Sequence, residues 1–451
     1  MVSAGLMGYP SPAILNWNNA FDDPNLVEGG SHLAKITGAH EYLNNLDSSH
    51  DESLVLMVDA YDIWLQLRPQ VLIDRYHEIN RRADERAKKE LGRAVVERNN
   101  ITQKIVIGCQ KRCWPWTFND PPCYASPTST LPNDIYGPET DTMIETGLSE
   151  FQKYRQRFLN SGVMMGTVGA MRKLFNQAMK YLEEEPNIGS DQYIFSHIFG
   201  DQMIYRETLL NNPRKTIAKY KSWNGADAPE PELIRKHLEE VRNKAEARED
   251  KNFEFGIGID HESMLGLNTV FAEDDTEWLL YNDTYQLHLA QEERNIDPSK
   301  RRANHLNEDI AQSLPPFWTF TSEPYLPNRW TPWTDVPLFT NVYTGITPAV
   351  IHHNAHREGR KALRETWWNK TWYAPHLRTM YDISMYAPTL PVARSAGRLW
   401  WPYETWKGGG RNGIAMLGTV GDDWIGVDNI CKEFSDELWR DDKGEWAVPE
   451  S

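Results

Sequence analysis

The sequence predicts an α/β protein organised on a largely parallel sheet. Strand-like and helix-like apolar periods alternate along the first hundred residues and continue with interruptions beyond them, and the chain has no internal repeat. One short run, Leu54-Val55-Leu56-Met57-Val58, is continuously apolar and bounded by polar sequence. This predicts a strand buried on both faces, as parallel sheets require.

The elements follow in order. Pro12–Trp17 (PAILNW) is short and mostly apolar, consistent with a strand. Gly29-Gly30-Ser31 then opens a helix with Leu33, Ile36, Leu43 and Leu46 on one face. After Leu54–Val58, Pro69 begins a long helix reaching about Glu97, amphipathic at first and then almost wholly charged, a solvated face. Lys104–Gly108 (KIVIG) is the next strand. Residues 110–150, rich in Pro, Thr and Asp, read as a long ordered loop. Phe158–Gly166 (FLNSGVMMG) is strand-like, and the helix after it carries Met171, Leu174, Phe175, Ala178 and Leu182 at helical spacing. Ser190–Phe199 reads as a short helix with an acid in its first turn. Residues 212–252 are strongly charged and predict an inserted helix or surface excursion. Phe255–Asp260 (FGIGID) is a further strand, and the polar stretch 271–315 predicts a second insertion.

Composition excludes several classes. Forty per cent apolar and 25% charged residues in a chain of 451 describe an ordinary globular protein, not a collagen-like or wholly disordered one. No uncharged apolar run approaches the roughly 18 residues of a membrane span, and Met1–Leu15 has two prolines and no basic n-region, unlike a signal peptide. Sixty-four acids against 48 bases give a net charge of −16, which argues against a nucleic-acid surface and is compatible with a chelated divalent cation. Nine of the 18 tryptophans cluster late, in Trp318–Trp333 and Trp367–Trp406, where packing is favoured over sugar stacking. Cys109, Cys113 and Cys123 lie close together without a second ligand cluster for zinc. A Cys113–Cys123 disulfide in an oxidising compartment and reduced cytosolic cysteines both fit, and sequons at Asn100, Asn282 and Asn369 lean toward the former.

The chemistry concentrates in Val58-Asp59-Ala60-Tyr61-Asp62, directly after the apolar strand. Ligands of open α/β sheets bind at the carboxyl ends of strands, where two carboxylates make a hard-oxygen site for Mg²⁺ or Mn²⁺. Alternatively Asp62 caps the next turn and Asp59 satisfies loop amides.

VDAYDIW, with FLNSGVMMG, GSDQYIF, FGIGIDHES, FWTF and VIHHNAH, resembles the glycosyltransferase domain of the lysyl hydroxylases and procollagen galactosyltransferases, and more closely uncharacterised fungal relatives of that domain. The motifs run in the family's order from about residue 29 to residue 354. The resemblance implies a GT-A fold, a Rossmann-like, mostly parallel sheet with helices on both faces, occupying residues 1–378 with insertions at 212–252 and 271–315. Residues 379–451 would be an irregular Trp-rich extension packed on it. It implies Mn²⁺ (or Mg²⁺) held by Asp59, Asp62 and His352, with His353 an alternative ligand. It also implies a UDP-sugar cradled by Lys35, Asp59, Ala60, Tyr61, Asn160, Ser161, Gly162 and Asn354. Lys35 would contact a phosphate, and the small residues at 160–162 would admit the sugar-nucleotide, unless they mark only a bulge. Asp191 would bind hydroxyls or act as a general base, or cap its helix. The activity implied is transfer of a sugar to a hydroxyl of a glycan, protein or lipid, in the Golgi or ER lumen. No nucleic acid is involved, and membrane contact is expected only through an anchor absent from this chain.

The sequence also departs from the family. Cys109-Gln110 stands where collagen-modifying members carry an acid, no iron-binding domain follows, and Val2-Ser3-Ala4-Gly5 resembles the end of the family's first helix. The first strand with its nucleotide-facing loop is therefore expected to be missing. That leaves a rival expectation, a non-catalytic sugar-nucleotide or protein-binding module that kept the scaffold. A metal-dependent phosphoesterase is a weaker one.

Overall fold

The computed structural model describes residues 1–17, 30–143, 150–184, 189–210, 229–320, 325–354, 366–407, 413–417, 423–431 and 438–439. Gly29, the first part of the 212–252 segment, Ala355-His356 of VIHHNAH and Gly408–Gly410 of the tail lie outside them. The elements that place the site are, in chain order, α1 (Val2–Met7), α2 (Gly30–Asn45), β1 (Leu54–Val58), β2 (Ile63–Leu65), α3 (Pro69–Leu91), β3 (Ile105–Gln110), β4 (Phe158–Thr167), α4 (Val168–Glu184), α5 (Asp191–Thr208), α6 (Pro231–Glu246), β5 (Ile257–Ile259), β6 (Gly266–Asn268), β7 (Thr276–Leu279), α7 (Thr284–Glu293), β8 (Leu338–Asn341), β9 (Val350–His352) and α8 (Leu377–Tyr386).

The chain is α/β, but its main sheet is mixed rather than largely parallel. The strand order is β1-β4-β3-β6-β9-β2, with β5 also on β3. β3, β5, β6 and β9 are parallel, whereas β4 runs antiparallel to both β1 and β3, and β2 antiparallel to β9. Apolar periodicity records burial, not strand direction, so this reversal leaves no mark on it. Leu54–Val58 is likewise half-buried at all five positions. It sits at the end of the strand order, bonded to β4 on one side.

β1 and β2 close the two ends of that order, yet only the turn Asp59–Asp62 separates them. The five Cα steps from Val58 to Ile63 span roughly 18 Å at most. The sheet therefore curls until its ends approach, nearly a barrel, and the turn bridges the gap.

Residues of the central strands alternate between two cores. Ile105, Ile107, Cys109 and Met164 pack under α2, α4, α5 and α6. Val106, Val163 and Met165 face the core shared by α1, α3, α7 and α8. Helices thus cover both faces.

Several elements differ from expectation. Of Pro12–Trp17, Ala13–Ile14 forms a strand, and it pairs with tail residues Ala415–Leu417 instead of the main sheet. The long helix breaks at Gly92, whose φ of 88° no helix accommodates, before a short helix Arg93–Arg98. The helix opened by Ser190 continues to Thr208 because Ile198, Phe199, Met203 and Ile204 extend its buried face. The 271–315 stretch is built into the core: Leu279, Leu287, Ala290, Ile296, Ala303 and Ile310 are buried there. Arg75 of α3 ties it down, bonding Asp309 and the carbonyls of Met264 and Thr347. The tail is regular in part, with α8, a hairpin of Ala393–Ser395 and Arg398–Trp400, and Ala393, Trp400 and Ala415 buried in the same core. Cys113 and Cys123 are disulfide-bonded, and Cys109 is a buried thiol. Among the described residues no helix is long and apolar enough to cross a membrane.

Candidate metal centre

Asp59 follows β1 and Asp62 precedes β2, so the D-x-x-D turn presents both carboxylates at the carboxyl ends of β3, β6 and β9. Antiparallel pairing sets His352 opposite Ile63, next to Asp62. One backbone bond, His353 N to the Asp62 carbonyl (2.8 Å), fastens the turn to the end of β9. A second runs from Asp59 N to the Gly162 carbonyl (3.1 Å) and fastens it to β4. The result is convergence: one ligand atom each from Asp59, Asp62 and His352 lies within 4.8 Å of the others, the one such group of three among the described residues. His352 Nε2 stands 3.5 Å from Asp59 Oδ2 and 3.5 Å from Asp62 Oδ2.

Asn268, which the sequence reading missed, orients the imidazole. Its Nδ2 donates to the Cys109 carbonyl (2.8 Å), which turns its Oδ1 toward His352 Nδ1 at 2.6 Å. Oδ1 can only accept, so the bond calls for a proton on His352 Nδ1 and leaves Nε2, on the carboxylate side, as the atom available to a cation. That is the arrangement a ligating histidine needs. The only hint in the sequence is a polar residue inside the buried run Gly266-Leu267-Asn268.

Gly162 makes room for that ring. β4 slips register against β3, with Ile107 opposite Met164 but Gly108 opposite Asn160, so Ser161-Gly162-Val163 form a bulge. A Cβ on Gly162 would overlap the imidazole, 2.8 Å from Nε2 and closer still to Cε1 and Nδ1. Asn160 fixes the bulge, donating to Gln110 Oε1 and accepting from Gly162 N.

Lys35 of α2 connects this centre to Asp191. Its Nζ lies 2.7 Å from Asp59 Oδ1, 3.0 Å from Asp191 Oδ2 and 2.8 Å from the Ser161 carbonyl. Burial would lower the ammonium's pKa, but the two carboxylates outweigh it and hold Lys35 protonated. Burial likewise opposes ionisation of Asp191, and Lys35 overrides it, leaving the carboxyl below its usual range. Ser190 occupies the N-cap of α5 and Asp191 is its first residue, so the side chain faces Lys35 at the positive helix end.

The remaining expected residues are placed as follows. Ala60 and Tyr61 are exposed at the turn, Tyr61 with 90% of its surface accessible. Asn354 Oδ1 accepts from Val270 N (3.1 Å) and pins the chain after β9. His353 is buried, with its ring 4.1 Å from the Trp64 ring and 5.8 Å from the Trp367 ring (centroids), in an aromatic layer apart from the three ligand atoms. Of the two adjacent histidines, His352 is the one brought to the carboxylates.

No protein-family model and no curated protein matches the chain.

Proposed function

We propose that Asp59, Asp62 and His352 bind a divalent cation and that the chain transfers a sugar from a UDP-sugar to an acceptor hydroxyl, on a core of the GT-A type. The observation carrying this reading is the convergence of two carboxylates and a correctly oriented imidazole at the carboxyl ends of the sheet. The donor set suits Mn²⁺, since imidazole is a better ligand for it than for Mg²⁺. Charge points the same way. Three carboxylates (Asp59, Asp62, Asp191) face one ammonium (Lys35), and an imidazole that ligates through Nε2 is neutral, so about two negative charges would be left for a divalent ion to neutralise.

When bound, such a cation would stabilise the negative charge of a departing diphosphate. The chain's own residues divide the remaining work. Asn268 and Gly162 hold His352 in its ligating pose. Lys35 supplies a fixed positive charge beside the site and belongs with the phosphates. Asp191, kept ionised by Lys35, is a strong hydrogen-bond acceptor and a weak base, which suits it to orienting a hydroxyl more than to removing its proton. The Cys113–Cys123 disulfide agrees with an oxidising, secretory compartment.

Calorimetric titration of Mn²⁺ with and without UDP tests the reading. Binding of each should strengthen the other in the wild type, and Asp59→Ala and Asp62→Ala should remove the coupling. Donor hydrolysis dependent on Mn²⁺ should vanish in the same variants. Uncoupled binding, or activity surviving both substitutions, would refute the assignment.

A further inference from the structure

A cavity of about 520 Å³ opens beside the antiparallel pair β7 and β8 and is separate in its lining from the metal centre. Four aromatic side chains line it: Trp278, Phe339, Tyr343 and Trp367. Trp278 is 7% exposed, and its indole N–H has no hydrogen-bond partner among the described residues. The other lining groups are polar and close to balanced in charge. Glu273, Asp274, Glu277 and Glu293 face Lys153, Arg294 and Lys370. Arg294 is already committed to the carbonyls of Asp274, Ala290 and Thr276. A phosphate or polyanion would therefore meet more carboxylates than free cations, and a purely apolar ligand would strand these polar groups. Aromatic faces interleaved with hydrogen-bonding groups fit a neutral ligand that has both apolar faces and many hydroxyls.

The cavity adjoins the centre through its aromatic wall. Trp367 is 6.5 Å from Trp278 and 5.8 Å from His353, the residue after ligand His352 (ring centroids). We infer that this cavity binds a neutral saccharide and anchors the glycan of the acceptor. The acceptor role rests on the transferase reading above; the saccharide binding itself does not.

Saturation-transfer NMR on the full chain, with lactose, cellobiose, maltotriose and di-N-acetylchitobiose as probes and without metal or nucleotide, tests it. At least one probe should receive magnetisation. Trp367→Ala should weaken that binding on the order of tenfold, as loss of an aromatic contact implies. Glu293→Gln, an exposed helix-end change, should weaken it while leaving the thermal melt unaltered. Asp59→Ala should leave it intact. No transfer to any probe, or transfer unchanged in both Trp367→Ala and Glu293→Gln, overturns the inference, as does preference for a sulfated disaccharide run in parallel. Failure of the Mn²⁺–UDP titration would instead remove the donor centre and leave the saccharide result standing.

Discussion

Replacing Gly162 by alanine is the sharpest perturbation of the metal centre, because it adds one methyl and replaces no ligand. The new Cβ would stand 2.8 Å from His352 Nε2 and nearer to two other ring atoms, against ordinary contacts of about 3.5–4.0 Å. The ring must therefore retreat by roughly 1 Å or more. It has nowhere to go without breaking its 2.6 Å bond to Asn268 or turning Nε2 from the carboxylates, since His352 is only 3% exposed. Disturbing a ligand's support typically costs 10–100-fold in metal affinity. Here the ligand itself is displaced, so a loss of about 100-fold, or about 2.7 kcal/mol, is expected. Electron paramagnetic resonance titration of free Mn²⁺ measures it, with circular dichroism to confirm the fold. His352→Ala supplies the control: it removes the ring that the methyl strikes, so Gly162→Ala should cost little further in that background. Tight Mn²⁺ binding by Gly162→Ala, or a full additive loss in the double variant, would show that the steric argument is wrong.

Three further outcomes are expected. Asn268→Leu should keep the strand but release His352 to either tautomer, weakening Mn²⁺ by about 10–100-fold in the same titration. Lys35→Met removes the ammonium competing for Asp59, so Mn²⁺ should bind more tightly while UDP binds more weakly in calorimetry; tighter binding of both would contradict the role given to Lys35. Asp201, buried between α5 and α6, is pushed by burial toward protonation, but His197 and Lys244 prevail and lower its pKa to about 2. A depressed carboxylate stabilises the fold above its unfolded pKa of about 3.9 and loses that contribution as pH falls through 2. Urea unfolding should thus show wild type exceeding Asp201→Asn by about 2–3 kcal/mol at pH 6, with the gap shrinking below pH 4.

The sequence revealed the parts of the site carried by local pattern. An apolar run followed by Asp-x-x-Asp is enough to put two carboxylates at a strand end, and that is where Asp59 and Asp62 stand. Helix faces such as Leu33, Ile36 and Leu43 were legible for the same reason. Pairwise facts were not. Which of His352 and His353 faces the carboxylates depends on the register of β9 against β2, and the register of the H-x-N resemblance, not composition, pointed to His352. Asn268 lies 84 residues from His352, with no spacing rule to join them. Gly162 reads as a bulge residue, and the ring it admits belongs to a strand far along the chain. The direction of β4 was equally hidden, since a strand buried on both faces looks the same running either way.

The curl of the sheet explains why these distant pieces meet where they do. A flat sheet of this order would hold β1 and β2 at opposite edges, too far apart for a four-residue turn. The same turn on a curled sheet bridges the remaining gap, at the sheet end where β6 finishes in Asn268, β9 finishes in His352 and β4 carries the Asn160–Gly162 bulge. The ligands are therefore supplied by closure itself: β1 and β2 bring the carboxylates because they are the ends being joined, and β9 brings the histidine because it pairs with one of them. Shortening the turn would pull the sheet ends together, while lengthening it would let the carboxylates drift from His352. On this geometry the spacing of the two acids is set by the width of the gap as much as by the size of an ion.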